Sequence, residues 1–236
     1  MCSCEAGFCF LLSPRPGACN GWEVKGNMLT VHSYAFLCSF GQISQVIARW
    51  LIASALLLVA GCGGGAQKFN GVDITGANYA RHFELTDHTG AKRTLADYRG
   101  KVVAVFFGFT QCPDVCPTTL NDLAQVKKRL GKDGEKLQVI FITVDPERDS
   151  PDVLQRYVPG FDPSFVALYG SAEQTAATAK EFKVFYQKVA GKTPTSYSVD
   201  HTAGTYVIDR EGRIRLFIKH GEGVDAIAAD IKRLLG

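Results

Sequence analysis

Val102-Val-Ala-Val-Phe-Phe-Gly-Phe-Thr-Gln-Cys-Pro-Asp-Val-Cys-Pro117 decides the fold. Val102 to Phe107 is an unbroken run of apolar, mostly β-branched or aromatic residues, the mark of a strand covered on both faces in a parallel sheet. It is expected to be central. Two cysteines follow it, four positions apart. Pro117 suits the first position of a helix, where its missing N–H costs nothing. That puts Cys116 near the N-cap, where helix amides and the positive dipole end favour thiolate over thiol. On one helix-like turn the two Cα atoms lie about 6 Å apart, a span that suits a disulfide or a shared metal ion.

Outward from this stretch the elements follow in order. Phe83 to Gly90 alternates before a Thr-Gly turn and reads as a short hairpin, and Leu95 to Arg99 leads into the central strand. Leu120, Leu123, Ala124 and Leu130 recur at helical spacing until Gly131 stops the pattern. Leu137 to Val144 is a second buried strand, so the strand-helix-strand unit predicts a parallel pair. Ser150-Pro151 caps a helix to about Val158. Phe165 to Leu168 is short and apolar, and Ala172, Thr175, Ala176, Ala179 and Phe182 form the stripe of a further helix. Thr205 to Asp209 and Arg213 to Ile218 flank a turn and predict an antiparallel hairpin, with a closing helix from Val224 to Leu234. The expected class is α/β: a mixed sheet flanked by helices, its cysteines at the carboxyl end of a central strand, where open α/β sheets place their ligands. A paired-cysteine turn between buried strand and helix is the thioredoxin-like arrangement.

The chain of 236 residues is 46% hydrophobic and 21% charged, enough for one domain with an ordinary core. A net charge of +3, with no basic cluster interleaved with aromatics, excludes a nucleic-acid footprint. Of eight cysteines only Cys112 and Cys116 fall in the expected domain, so this is not a disulfide scaffold.

The front of the chain reads differently. Arg49 precedes the apolar run Trp50 to Ala60, too short for a bilayer span, which takes about 20 residues, but right for a secretory signal. Val59-Ala-Gly-Cys62, followed by three glycines, resembles the cleavage box of bacterial lipoproteins, which implies lipid on Cys62 and a membrane-anchored protein on the periplasmic side of the cell envelope. Residues 1–45 fit no part of such a signal, and translation is expected to start downstream, at Met28 or near Val46. The expected organisation is extension and signal over 1–61, a Gly- and Asn-rich linker over 62–79, and the domain over 80–236.

Three separated motifs carry a resemblance: Phe107-Gly-Phe-Thr-Gln-Cys-Pro-Asp-Val-Cys-Pro117, Thr143-Val-Asp-Pro-Glu-Arg-Asp149, and Asp200-His201. Their order resembles the Sco/SenC family of copper proteins over roughly residues 70–236. The resemblance implies that Cys112, Cys116 and His201 bind copper. It also implies delivery to the dinuclear copper centre of a cytochrome c oxidase subunit, making the protein a carrier and not an enzyme. Soft thiolates select Cu(I) and imidazole also accepts Cu(II), so either state suits the set. Cys112 and Cys116 would also form a redox disulfide, opened by a thiol reductant before a copper donor could load the protein. Asp200 is expected to orient the imidazole and Asp145 to lie near the site, while Asp114 should face water. His82, His88 and His220 read as solvated.

The alternative reading is a thiol-disulfide oxidoreductase that reduces the acceptor's cysteines. The proline that thioredoxins place before the strand at Thr205 is missing, since the chain reads Asp-His-Thr-Ala-Gly there. A peroxiredoxin is disfavoured because Phe107 to Cys112 does not match that family's Pro-x-x-x-Thr-x-x-Cys, and structural zinc because no fourth ligand is evident.

Overall fold

The computed structural model describes residues 68–193 and 196–236. The signal-like run, Cys62 and the expected start sites lie outside the described residues, among which no helix is long and apolar enough to cross a membrane.

The central run forms β4 (Val102–Gly108), buried at every position, beside an equally buried β5 (Leu137–Thr143). They pair in parallel, Val102 opposite Leu137 through Gly108 opposite Thr143. The connecting helix α1 (Val115–Leu130) ends at Gly131, whose φ of 59° lies in the region that side chains resist. A second crossover, α2 (Pro151–Tyr157), leads to β6 (Val166–Tyr169), which is parallel to β5. Ser150 Oγ accepts from the Val153 amide and starts that helix.

The eight-stranded sheet is completed by β1 (Val72–Asp73), β2 (Glu84–Asp87), β3 (Lys92–Thr94), β9 (Gly204–Ile208) and β10 (Ile214–Lys219). Its order is β1-β10-β9-β4-β5-β6-β2-β3. β4 lies between parallel β5 and antiparallel β9, so the sheet is mixed. Successive side chains of β4 point to opposite faces. Val102, Ala104 and Phe106 pack with Leu120 and Leu123 of α1 and with Ile227 and Ile231 of the closing helix α4 (Val224–Leu235). Val103, Val105 and Phe107 meet Leu85, Tyr206, and Ala179 and Phe182 at the end of α3 (Ala172–Glu181).

Two features depart from the sequence reading. Residues within the expected linker hold β1, which pairs with β10 because Asp230 of α4 accepts from the amides of Asn70 (2.9 Å) and Gly71 (2.8 Å). A separate two-stranded sheet, β7 (Tyr186–Ala190) with β8 (Tyr197–His201), stands where no element was expected. Its residues are mostly exposed, so no buried period announces it. Residue 201 therefore ends a strand, and Tyr186 is its register partner.

Candidate metal centre

The carboxyl end of β4 turns at Phe109, whose carbonyl accepts from the Cys112 amide at 3.2 Å. Asp114 is the N-cap of α1, exposed as expected, and Cys116 lies inside the first turn rather than at the cap. Its amide, one of the helix's unpaired N-terminal donors, is aimed at Cys112 Sγ at 3.4 Å. The helix end thus serves the other sulfur. Cys116 itself is fully buried, and burial pushes its thiol well above the ordinary range, with the contact to Cys112 adding to the effect. Desolvation of a buried anion here outweighs the partial charge at a helix end that was expected to favour a Cys116 thiolate. Cys112 is partly exposed, and both cysteines are free thiols.

Gly108 makes the pocket for Cys116. A side chain there would put Cβ 2.8 Å from Cys116 Sγ and 2.8 Å from the Phe141 ring. His201 reaches the same place from the end of β8. Its Nε2 is 3.5 Å from Cys116 Sγ, and its ring stands edge-on to Phe106 and Phe109, centroids 6.0 Å away in each case. Nδ1 is 3.1 Å from the carbonyl of Thr202. A carbonyl only accepts, so Nδ1 carries the proton and the neutral ring turns the Nε2 lone pair toward the sulfur. Burial lowers the imidazole's pKa, opposed by that bond and by the charge of Asp200. The neutral form is the one that ligates metals.

The sulfurs of Cys112 and Cys116 and an imidazole nitrogen of His201 all lie within 4.8 Å of one another. Three donors bound in a plane at about 2.0–2.3 Å to a common ion stand about 3.5–4.0 Å apart, so the trio lies within about an ångström of the spacing that grips one.

Neither aspartate bonds directly to the three donors. Asp200 is exposed, and Thr202 rather than Asp200 holds the ring. Asp145 is buried but bonds to Arg148 and to the hydroxyl of Tyr197 (2.8 Å), not to sulfur or imidazole. Sequence reasoning missed Asp149, which accepts from the Thr110 amide (3.0 Å) and hydroxyl (2.5 Å) and from the Thr143 hydroxyl (2.6 Å), fixing the entry to the cysteine turn. The Thr143–Asp149 motif was visible, but its contacts span distant segments that local pattern does not encode. His82 and His220 are exposed, as expected, His82 beside Glu181 and His220 3.1 Å from Thr119 Oγ1, whereas His88 is half-buried and accepts from the Ala167 amide.

Fold and site together define a thioredoxin-like domain with two thiols and an imidazole converging at the carboxyl end of its sheet. The SCO1/SenC family model matches residues 72–236, and the chain belongs to that family. It is similar to a SCO2-like protein of Rickettsia prowazekii, 40% identical over 139 residues that cover 58% of this chain and 66% of the relative. It is also similar to the mitochondrial SCO2 homolog of Mus musculus, 37% identical over 153 residues, 64% of this chain and 60% of that one. The chain thus spans about two thirds or less of these relatives' lengths. Among solved structures, Bradyrhizobium japonicum ScoI with copper bound is 39% identical with a TM-score of 0.62, covering 66% of this chain and 99% of that one. Apo Sco1 of Thermus thermophilus is 43% identical with a TM-score of 0.65, covering 73% and 100%.

Proposed function

We propose that this domain is a copper carrier in which Cys112, Cys116 and His201 hold one ion and pass it to the copper-binding subunit of a cytochrome c oxidase, for its dinuclear copper centre. The observation that carries the reading is the convergence of two sulfurs and one imidazole nitrogen within 4.8 Å from elements far apart in the chain. Two thiolates and an imidazole suit Cu(I), and the imidazole also accommodates Cu(II). The copper-bound relative supports the choice of ion. Cys112 is partly exposed, so an acceptor thiolate can enter there before the donor bonds break. The Cys116 thiol gives up its proton as copper enters, so apparent affinity rises with pH.

Lipid on Cys62 would tether the domain to the periplasmic side of the membrane, facing an acceptor in the same membrane. Two-electron oxidation of Cys112 and Cys116 to a disulfide, with loss of both thiol protons to an incoming disulfide, would remove both sulfur ligands. A thiol reductant and a copper donor are therefore the further partners.

The pairing of a partly exposed and a buried cysteine on one turn also suits a second reading, an oxidoreductase acting on the acceptor's cysteines. Metal analysis and absorption spectra of the reduced protein beside His201→Ala separate the two. One copper per chain, with affinity lost in Cys112→Ser, Cys116→Ser and His201→Ala, is expected of the carrier. Unchanged copper affinity in His201→Ala, with disulfide exchange abolished in Cys112→Ser, would replace it with the oxidoreductase.

A further inference from the structure

The hairpin that delivers His201 is not part of the main sheet, and little apolar burial holds it: along β8 only Val199 is fully covered. Its first residue is held instead by the loop that follows β5. Arg148 donates from Nη1 to the Tyr197 carbonyl at 2.9 Å, and its guanidinium lies 3.6 Å from the centroid of the Tyr197 ring. Its Nε donates to Asp145, whose other oxygen accepts from the Tyr197 hydroxyl at 2.8 Å. The same guanidinium turns the other way. Nη1 also reaches Gln111 Oε1 at 3.1 Å, next to Cys112, and Cζ lies 5.6 Å from the centroid of the Phe109 ring that borders His201.

One planar cation therefore touches both halves of the site. With one set of contacts it grips the base of the histidine strand, and with the other it grips the cysteine turn. Its neighbour Asp149 holds Thr110 at the start of that turn. Arg148 is largely shielded, with its side chain 19% exposed, and its buried partner Asp145 is fully covered. A fork with fixed donor directions orients its partners, which a flexible ammonium does not do.

We propose that Arg148 is a positioning residue for the metal centre: it sets the separation between the cysteine turn and the imidazole, and so determines whether three donors or only two engage the ion. This rests on the reading of His201 as a ligand. The Tyr197 ring and the Asp145 carboxylate are the counterparts Arg148 works against. The loop's sequence, Asp145-Pro-Glu-Arg148, thereby gains a role that neither ligation nor catalysis supplies.

The test uses the reduced full chain, four single variants and one double variant, Arg148→Met with His201→Ala; the single ones are Arg148→Met, which keeps the apolar stem; Arg148→Lys, which keeps the charge without the fork; Tyr197→Phe, which removes only the hydroxyl bond to Asp145; and His201→Ala. In the metal-free proteins, amide exchange along Tyr197–His201 is expected to accelerate about tenfold or more in Arg148→Met and Arg148→Lys as hydrogen bonds are lost, while β4 keeps its protection. Cu(I) affinity, read by competition with a chromophoric chelator, is expected to fall about 10- to 100-fold, the usual effect of losing a group that orients a ligand. Nitrogen hyperfine coupling in the Cu(II) form is expected to weaken with it. Tyr197→Phe moves all three readouts in the same direction by less.

The decisive arm is the double variant. If Arg148 acts through the imidazole, Arg148→Met costs no further affinity in the His201→Ala background. Equal losses in the two backgrounds, or wild-type exchange and affinity in both Arg148 variants, would overturn the proposal. Wild-type copper affinity in His201→Ala would instead overturn the ligand reading, and the exchange result alone would then decide whether Arg148 holds the hairpin.

Discussion

A single hydrogen atom at Gly108 decides where a sulfur can sit. The rings a Cβ would meet there, Phe141 at 2.8 Å and Phe106 at 3.1 Å, are fully buried in a close-packed core and cannot step aside cheaply. The sulfur of Cys116, also at 2.8 Å, has to give way. Gly108→Ala is therefore expected to cost about 1–3 kcal/mol of stability from overpacking, and to weaken copper binding as well. A denaturation midpoint and a chelator competition check the two effects, and wild-type values in both would mean that the pocket yields. The same burial gives the metal-free protein a pH signature at both ends. Unfolded, Cys116 ionises near its ordinary 9.0; folded, it holds its proton to higher pH. Above about pH 9 the unfolded chain has thus released a proton that the folded one keeps, and stability falls as pH rises. His201 works on the acid side. Its folded value lies below the ordinary 6.5, so just under that pH the unfolded chain binds more protons and stability falls as pH drops. Denaturation between pH 5 and 10 is expected to show the alkaline loss shrinking in Cys116→Ala and the acid loss shrinking in His201→Ala.

At the scale of elements, helix α4 closes the edge of the sheet with a single carboxylate. Asp230 accepts from the amides of Asn70 and Gly71 and pairs with Arg233 at 2.8 Å, all in a site that leaves it 1% exposed. Asp230→Ala strands those donors, and the loss expected is about 1–3 kcal/mol, the cost of an unpaired buried amide. Faster amide exchange at Ile74, bonded to the Arg215 carbonyl, would report β1 leaving β10, whereas unchanged exchange would mean that the strand holds itself. This edge was illegible from sequence because Gly and Asn around Val72 read as a linker, and the group that orders them comes from the far end of the chain. β4, β5 and the flanking helices were legible for the opposite reason: a strand covered on both faces reads as a nearly continuous apolar run, and a helix on a sheet repeats its apolar stripe locally. Within the site the cysteine pair was legible from spacing and context. The approach of His201 was not, since residue chemistry left an ordinary histidine and only the family resemblance singled it out. The hairpin that brings it is held by Arg148 and Tyr197 across 49 positions, a contact that no local period records.

At the scale of the whole domain, the division of the proposed donors between two elements would make a bound copper ion a cross-link. Cys112 and Cys116 belong to the junction of β4 and α1, while His201 closes the separate β7–β8 sheet, so an ion held by all three joins that sheet to the main one. The unfolded chain keeps the two sulfurs close together but loses the imidazole, and so binds more weakly. Binding that favours the folded state stabilises it by mass action, about 4 kcal/mol when free ligand stands a thousandfold above Kd. For a unit of the size of Gln67–Gly236 each kcal/mol moves Tm by about 2–4 °C, which puts the expected rise near 10 °C. Residual binding by the unfolded cysteine pair lowers that figure. Calorimetry of the reduced protein with one equivalent of Cu(I), buffered by a competing ligand to fix the free concentration, measures it. His201→Ala should keep only a small part of the rise, because its two remaining donors are adjacent in the unfolded chain too. The protein oxidised to the Cys112–Cys116 disulfide should show none. An equal rise in oxidised and reduced protein would mean that copper binds away from the sulfurs, and the cross-link would then have no part in the fold's stability.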